Sequence, residues 1–261
     1  MLVLFSASPR SIITAYLASR IHHAKPIEKA RSQKCFFEET LDADALDYNE
    51  LYSEHRESRG GLDFLENPKL FEILEDEMFW ASRFNARDRF QLIFRVLELI
   101  ETRGTKAYLS QEAPEAKEMK DRVRRVTAEF RRAKDFLAFR EDQDNRAIVA
   151  RGTFEHRILD LVLRHFARRK PGYSVAILDE EHAHICRNDE KLVDAVDRFP
   201  TRKGRKDAKR YWLLLSDIRY TNSHKDPDYD VGELPENYWK WVSEDTREIA
   251  TTGTRTLDDF A

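Results

Sequence analysis

Residues 121–188 decide the fold: DRVRRVTAEFRRAKDFLAFREDQDNRAIVARGTFEHRILDLVLRHFARRKPGYSVAILDEEHAHICRN. The segment opens as a basic helix, which the apolar spacing carries from Pro114 to Lys134. Three apolar runs follow, at 136–139, 147–154 and 173–178, and each has the length of a strand. Between the last two, residues 155–169 read as an amphipathic helix stopped by Pro171 and Gly172. Short strands interleaved with helices predict an α+β layer with a small, mainly antiparallel sheet.

Working outward, the N-terminal half reads as helical over about 8–134, and the sheet-containing part runs over about 135–250. The two are expected to form one compact α+β domain over 1–250, with 251–261 as a flexible tail. Leu2 to Phe5 is a short apolar run suited to a buried strand, and Ser8 before Pro9 is a helix start. No glycine-rich phosphate loop stands at that junction. Helices are predicted over Pro68–Ala81 and over 86–103, the second with Gly104 as its C-terminal stop. A strand at 211–215 and a last helix at 235–249 complete the prediction.

The chain has 261 residues, 36% of them charged, with a net charge of only −3. Attraction of the whole molecule to a polyanion is therefore not predicted, and local charge has to do the work. Two cysteines, Cys35 and Cys186, give no disulfide framework, so the expected setting is reducing and cytoplasmic. No run of apolar residues is long enough to span a bilayer, and no membrane association is expected.

Positive charge concentrates in three places. Residues 122–134 hold six basic side chains against Glu129 alone. Residues 164–170 hold four and no acid, and residues 198–210 hold seven against Asp207. On a helix over 155–169, Arg157, Arg164 and Arg168 align at i, i+7 and i+11, opposite an apolar face. Such a row suits the phosphates of a nucleic-acid backbone. The candidate contacts are Arg124, Arg125, Arg131, Arg157, Arg164 and Arg168, with Lys203 and Arg205 from the basic loop. Tyr173, Tyr211 and Trp212 lie near these segments and suit either a core or a base-stacking role.

Candidate chemistry is sparser. Glu155 and His156 follow a strand and open the predicted helix, and a histidine there suits acid–base work or simple packing. Asp179 is placed to orient it. The group Asp179, Glu180, Glu181, His182 and His184 reads as a polar turn, and neither a metal nor a cofactor is predicted. Residues 38–50, with six acids and no base, read as solvated surface or as a protein-contact face.

Several of these residues also carry a resemblance. Phe136, Phe139 and Arg140, the Glu155–His156 pair, His165, Phe166 and Arg169, then Val175, Ile177 and Asp179 follow one order. It resembles that of an uncharacterised family found fused to uracil-DNA-glycosylase-like domains in bacteria, or standing alone beside a radical-SAM gene. Residues 87–99 resemble the helix that precedes the basic one in that family. The resemblance implies a DNA-metabolism or DNA-repair setting, with a uracil-DNA-glycosylase-like or radical-SAM protein as a partner. It implies no mechanism. The chain departs from the family pattern at Ala138, Arg131 and Phe154, where arginine, histidine and proline are usual. Three functions are therefore open: a nucleic-acid-binding accessory, an enzyme on nucleic acid or nucleotide using His156, and a protein-interaction module.

Overall fold

A computed structural model of the chain describes residues 1–31, 39–142, 146–179, 182–186 and 196–200. The fold is α+β, and the chain divides into two compact units, Met1–Thr127 and Ala128–Ala261.

The first unit starts with β1 (Leu2–Phe5), α1 (Pro9–His22) and β2 (Lys25–Glu28), followed by a single 3-10 turn and β3 (Thr40–Asp42). Ser8 caps α1, its hydroxyl accepting from the Ser11 N–H at 3.2 Å, with Pro9 in the first turn. The helices α2 (Tyr48–Arg59), α3 (Asp63–Glu66), α4 (Pro68–Ala81), α5 (Arg89–Arg103) and α6 (Thr105–Leu109) follow. Val3 and Phe5 of β1 share a core with Ile12, Ile13 and Leu17 of α1 and the apolar stripe of α5. The Phe5 ring meets Phe90 and Phe94 edge-on at 5.0 and 5.3 Å.

Two expectations for this half need correction. It is not helical alone, because β1 is the centre of a three-stranded parallel sheet in the order β2-β1-β3. The outer strands read KPIE and TLD and carry no apolar alternation, so only pairing with β1 defines them. The helix expected from residue 86 begins at Arg89. Asp88 stands at its cap position but makes no side-chain cap, since Arg122 holds its carboxylate at 3.1 and 2.8 Å.

The helix α7 (Pro114–Phe136) carries the chain across the division between the units, which falls at Thr127 and Ala128. The second unit then builds β4 (Phe139–Asp142), β5 (Ala147–Arg151), α8 (Leu159–Arg169), β6 (Ser174–Leu178), β7 (His182–Cys186) and β8 (Val196–Pro200). The sheet order is β4-β5-β6-β7-β8; β5 and β6 are parallel and every other pair is antiparallel. Residues 136–138, expected to start a strand, instead end α7 and lead into β4, and β5 stops at Arg151 rather than Phe154.

Both central strands are apolar almost throughout, AIVA in β5 and VAIL in β6, as strands buried on two faces require. One face gathers Val149, Ala176, Leu178, Ala183 and Ile185. The other carries Phe139 opposite Ala150, and Phe166 of α8 packs on Phe139 at 4.3 Å between ring centroids. Among the described residues no helix is long and apolar enough to cross a membrane.

Candidate functional site

The residue that fixes the bend after β5 was not among the expected site residues. Glu129 lies on the same stripe of α7 as Val126 and Ala133, at the i, i+3 and i+7 positions of one helical face. All three are buried, and Glu129 is 1% exposed. Its Oε1 accepts the backbone N–H of Glu155 at 2.6 Å, and its Oε2 accepts that of His156 at 2.9 Å. Burial pushes its carboxyl up to about 7, against the opposing pull of the two N–H groups, with the Glu155 carboxylate adding to the rise and Arg132 opposing it. The lone acid in a basic run is thus a carboxylate clamp on a bend of the chain.

The clamp explains a second departure from expectation. Residues 155–157 do not open the helix; α8 begins at Leu159 with Ile158 at the cap position. The two N–H groups that would start it are donated to Glu129, and the Ile158 N–H turns back to the His156 carbonyl at 2.9 Å. Ile158 is fully buried and pins the end of the bend. His156 points inward and is 6% exposed, whereas Glu155 and Arg157 on either side are exposed. Arg157 is therefore off the helix. The expected row of three arginines reduces to Arg164 and Arg168, one turn apart on α8.

The bend sits where chemistry is commonly assembled. β5 and β6 run parallel with Arg151 opposite Leu178, and the Gly152 N–H reaches the Leu178 carbonyl at 3.1 Å. Glu155 and His156 follow the carboxyl end of β5, and Asp179 follows that of β6. Ligands of open sheets with parallel strands gather beyond those ends. The Asp179 Oδ2 lies 2.8 Å from the Nε2 of His184, two members of the group expected as a polar turn, and His184 stands on strand β7. Among the described residues no group of three His, Cys, Asp or Glu side chains is arranged to hold a metal.

The opposite ends of the same strands carry a different group. There the Lys170 Nζ meets the Glu141 Oε2 at 3.0 Å and lies 5.7 Å from the centre of the Tyr173 ring. The Lys170 ammonium holds the Glu141 carboxyl below the usual carboxylate range. Tyr173 is thereby engaged inside its own unit rather than standing as an isolated stacking platform.

The arginines divide into two kinds. Arg124 and Arg125, in the first unit, are 80% and 61% exposed at the side chain, and both pair with Asp121 at 2.5 and 2.9 Å. Exposed pairs of this sort are worth little and exchange partners easily. In the second unit Arg131, Arg157 and Arg168 are exposed and Arg164 is half-buried. Arg131 and Arg168 have no ion pair among the described residues. Lys203 and Arg205, together with Tyr211, Trp212, Cys35 and the elements expected at 211–215 and 235–249, lie outside the described residues. Three acids of the stretch 38–50 serve the first unit's own structure. Lys29 pairs with Asp42 and Asp44, each at 2.6 Å, and Asp47 caps α2 by accepting from the N–H groups of Asn49 and Glu50.

His165 and Phe166, which carry the resemblance at the end of α8, are packing residues here. His165 meets Phe130 edge-on at 6.2 Å and Phe166 at 5.2 Å. Against known proteins, the model of a domain of unknown function, DUF4130, matches residues 87–244. The chain belongs to the DUF4130 family. The match takes in α5 to α8 and the five-stranded sheet, so the Glu129 clamp and its bend lie within the DUF4130 segment. The parallel sheet of β1 to β3 lies outside it. No curated protein and no solved structure matches the chain.

Proposed function

We propose that this protein binds nucleic acid in DNA metabolism, with exposed arginines of its second unit holding the phosphate backbone. The supporting observation is the exposure of Arg131 on α7, Arg157 on the clamped bend and Arg168 on α8, two of them without an ion pair among the described residues. Arginine on a surface with no carboxylate partner is the side chain that engages phosphate at least cost, because no internal bond has to break first. Arg164 adds to this set, and Arg124, Arg125, Lys203 and Arg205 belong to the same reading. A uracil-DNA-glycosylase-like or radical-SAM protein would be its working partner.

Fluorescence anisotropy against single-stranded, double-stranded and uracil-containing DNA and an RNA hairpin, over a range of salt, tests this. Binding should weaken steeply with salt. The triple variant Arg131→Glu, Arg157→Glu, Arg168→Glu should lower the slope of log K against log salt by about 2–3, roughly one unit for each phosphate no longer held. Binding insensitive to salt, or none to any form, would overturn the proposal.

One observation favours a second reading, that of an enzyme acting on nucleic acid or a nucleotide. His156 is held in a bend that the Glu129 carboxylate fixes through two hydrogen bonds, beyond the carboxyl end of a parallel strand and flanked by exposed Glu155 and Arg157. A histidine so fixed suits proton transfer, with Glu155 beside it and Asp179 following the neighbouring strand. On this reading His156→Ala removes turnover of the bound form while leaving its affinity within about twofold. Equal loss of both would make His156 a packing residue.

A further inference from the structure

We propose that Glu129 is a proton-operated latch, closed on the bend of residues 155–157 when ionised and loosened when protonated. The geometry carries this. Each carboxylate oxygen accepts one backbone N–H, from successive residues, and the side chain is almost wholly buried. The His156 N–H is buried as well, so water cannot replace its acceptor, whereas the Glu155 N–H is only partly buried. An ionised carboxylate serves both donors equally. A neutral carboxyl keeps one carbonyl oxygen, and its other oxygen becomes a hydroxyl, a poor acceptor whose own proton must then find a partner. Protonation thus takes a strong acceptor from one of the two N–H groups, and a buried donor without one is costly.

The groups that bias the latch are few. The Glu155 carboxylate, on the bend itself, favours the protonated form, and Arg132, one turn along α7, favours the ionised form. The His156 ring lies on the residue whose N–H is held. Burial places the switch near neutrality, where small changes of pH move it.

What the latch controls follows from what the bend carries. Arg157 is exposed immediately after the clamped pair, and Glu155 is exposed within it. Opening the latch gives both side chains more freedom, so an arrangement fixed at slightly alkaline pH is lost on acidification. This consequence for ligand binding rests on the nucleic-acid reading above; the latch itself does not.

The test is a titration of the full chain, labelled with ¹³C and ¹⁵N and without ligand, from about pH 5 to about pH 9. The Glu129 carboxyl carbon should titrate with a midpoint near neutrality, and the Glu155 and His156 amides should shift with that same midpoint. Their hydrogen exchange, corrected for the intrinsic effect of pH, should quicken about tenfold on the acid side. In Glu129→Gln the amides should no longer respond at that midpoint. A Glu129 midpoint in the ordinary carboxylate range would overturn the proposal. So would amides that stay flat through its midpoint, or an amide response that survives in Glu129→Gln.

Should Glu129→Gln not fold, the wild-type carboxyl and amide titrations decide alone. A single-stranded DNA probe in parallel separates the two readings. Ordinary electrostatics strengthens binding to a polyanion as histidines charge, whereas the latch predicts weaker binding below neutrality. A titrating latch with no binding to single-stranded, double-stranded or uracil-containing DNA or to an RNA hairpin sinks the nucleic-acid reading and leaves the latch standing.

Discussion

Replacing Phe166 with alanine is expected to destabilise the second unit by about 3–5 kcal/mol. The ring is 1% exposed and is the largest fully buried side chain of α8. It lies 4.3 Å from the ring of Phe139 and 5.2 Å from that of His165, so its removal leaves a void lined by aromatic edges that cannot collapse cheaply. The loss reaches the site because α8 is the connection between the two parallel strands whose ends carry His156 and Asp179. Native-state hydrogen exchange of the β5 and β6 amides gives the measurement, since it reports the second unit without assuming a single transition for the whole chain. A loss below about 1 kcal/mol would mean that α8 is held to the sheet by something other than this ring.

The second large effect is one of pH. The Glu129 carboxyl is raised from its ordinary 4.5 to about 7 in the folded chain. Between those values the folded protein keeps a proton that the unfolded chain has released. Stability therefore falls as pH rises through this window. The contribution is fully present below about 4.5 and lost once pH passes about 7. The slope approaches one proton, about 1.4 kcal/mol per pH unit, where the two states differ most. Glu129→Gln carries no proton to release, so the difference between wild type and variant should change with pH across this window and level off on either side. Denaturant unfolding at a series of pH values measures it, and a difference independent of pH would show that burial does not hold the proton on Glu129.

Local signals read well from the sequence where they did not depend on distant partners. Leu2–Phe5, the Ser8–Pro9 start and the whole of Pro68–Ala81 followed from caps, proline placement and apolar spacing. The stop of α5 at Gly104 was legible for the same reason. What escaped was set by pairing across the chain. The strands Lys25–Glu28 and Thr40–Asp42 exist because β1 offers edges on both sides, and nothing in KPIE or TLD announces it. The start of α8 was misplaced because its first donors are spent on a side chain 26 residues earlier. Glu129 itself left a sign. It occupies an apolar position of its helix, midway between Val126 and Ala133, and an acid on a buried stripe needs a reason.

The course of α7 bears on how the protein can be taken apart. One unbroken helix runs from Pro114 to Phe136, and the division between the units falls inside it. A gene fragment cut at that point would start or stop in mid-helix and strip four backbone donors or acceptors of their partners. The second unit needs the end of this helix for Glu129 and its clamp, and the first unit needs its beginning for Ala116, Met119 and Arg122. A cut before α7 keeps the helix whole but takes Ala116 and Met119 out of the first unit's core and Arg122 away from Asp88, so each unit is complete only with its own part of this one helix.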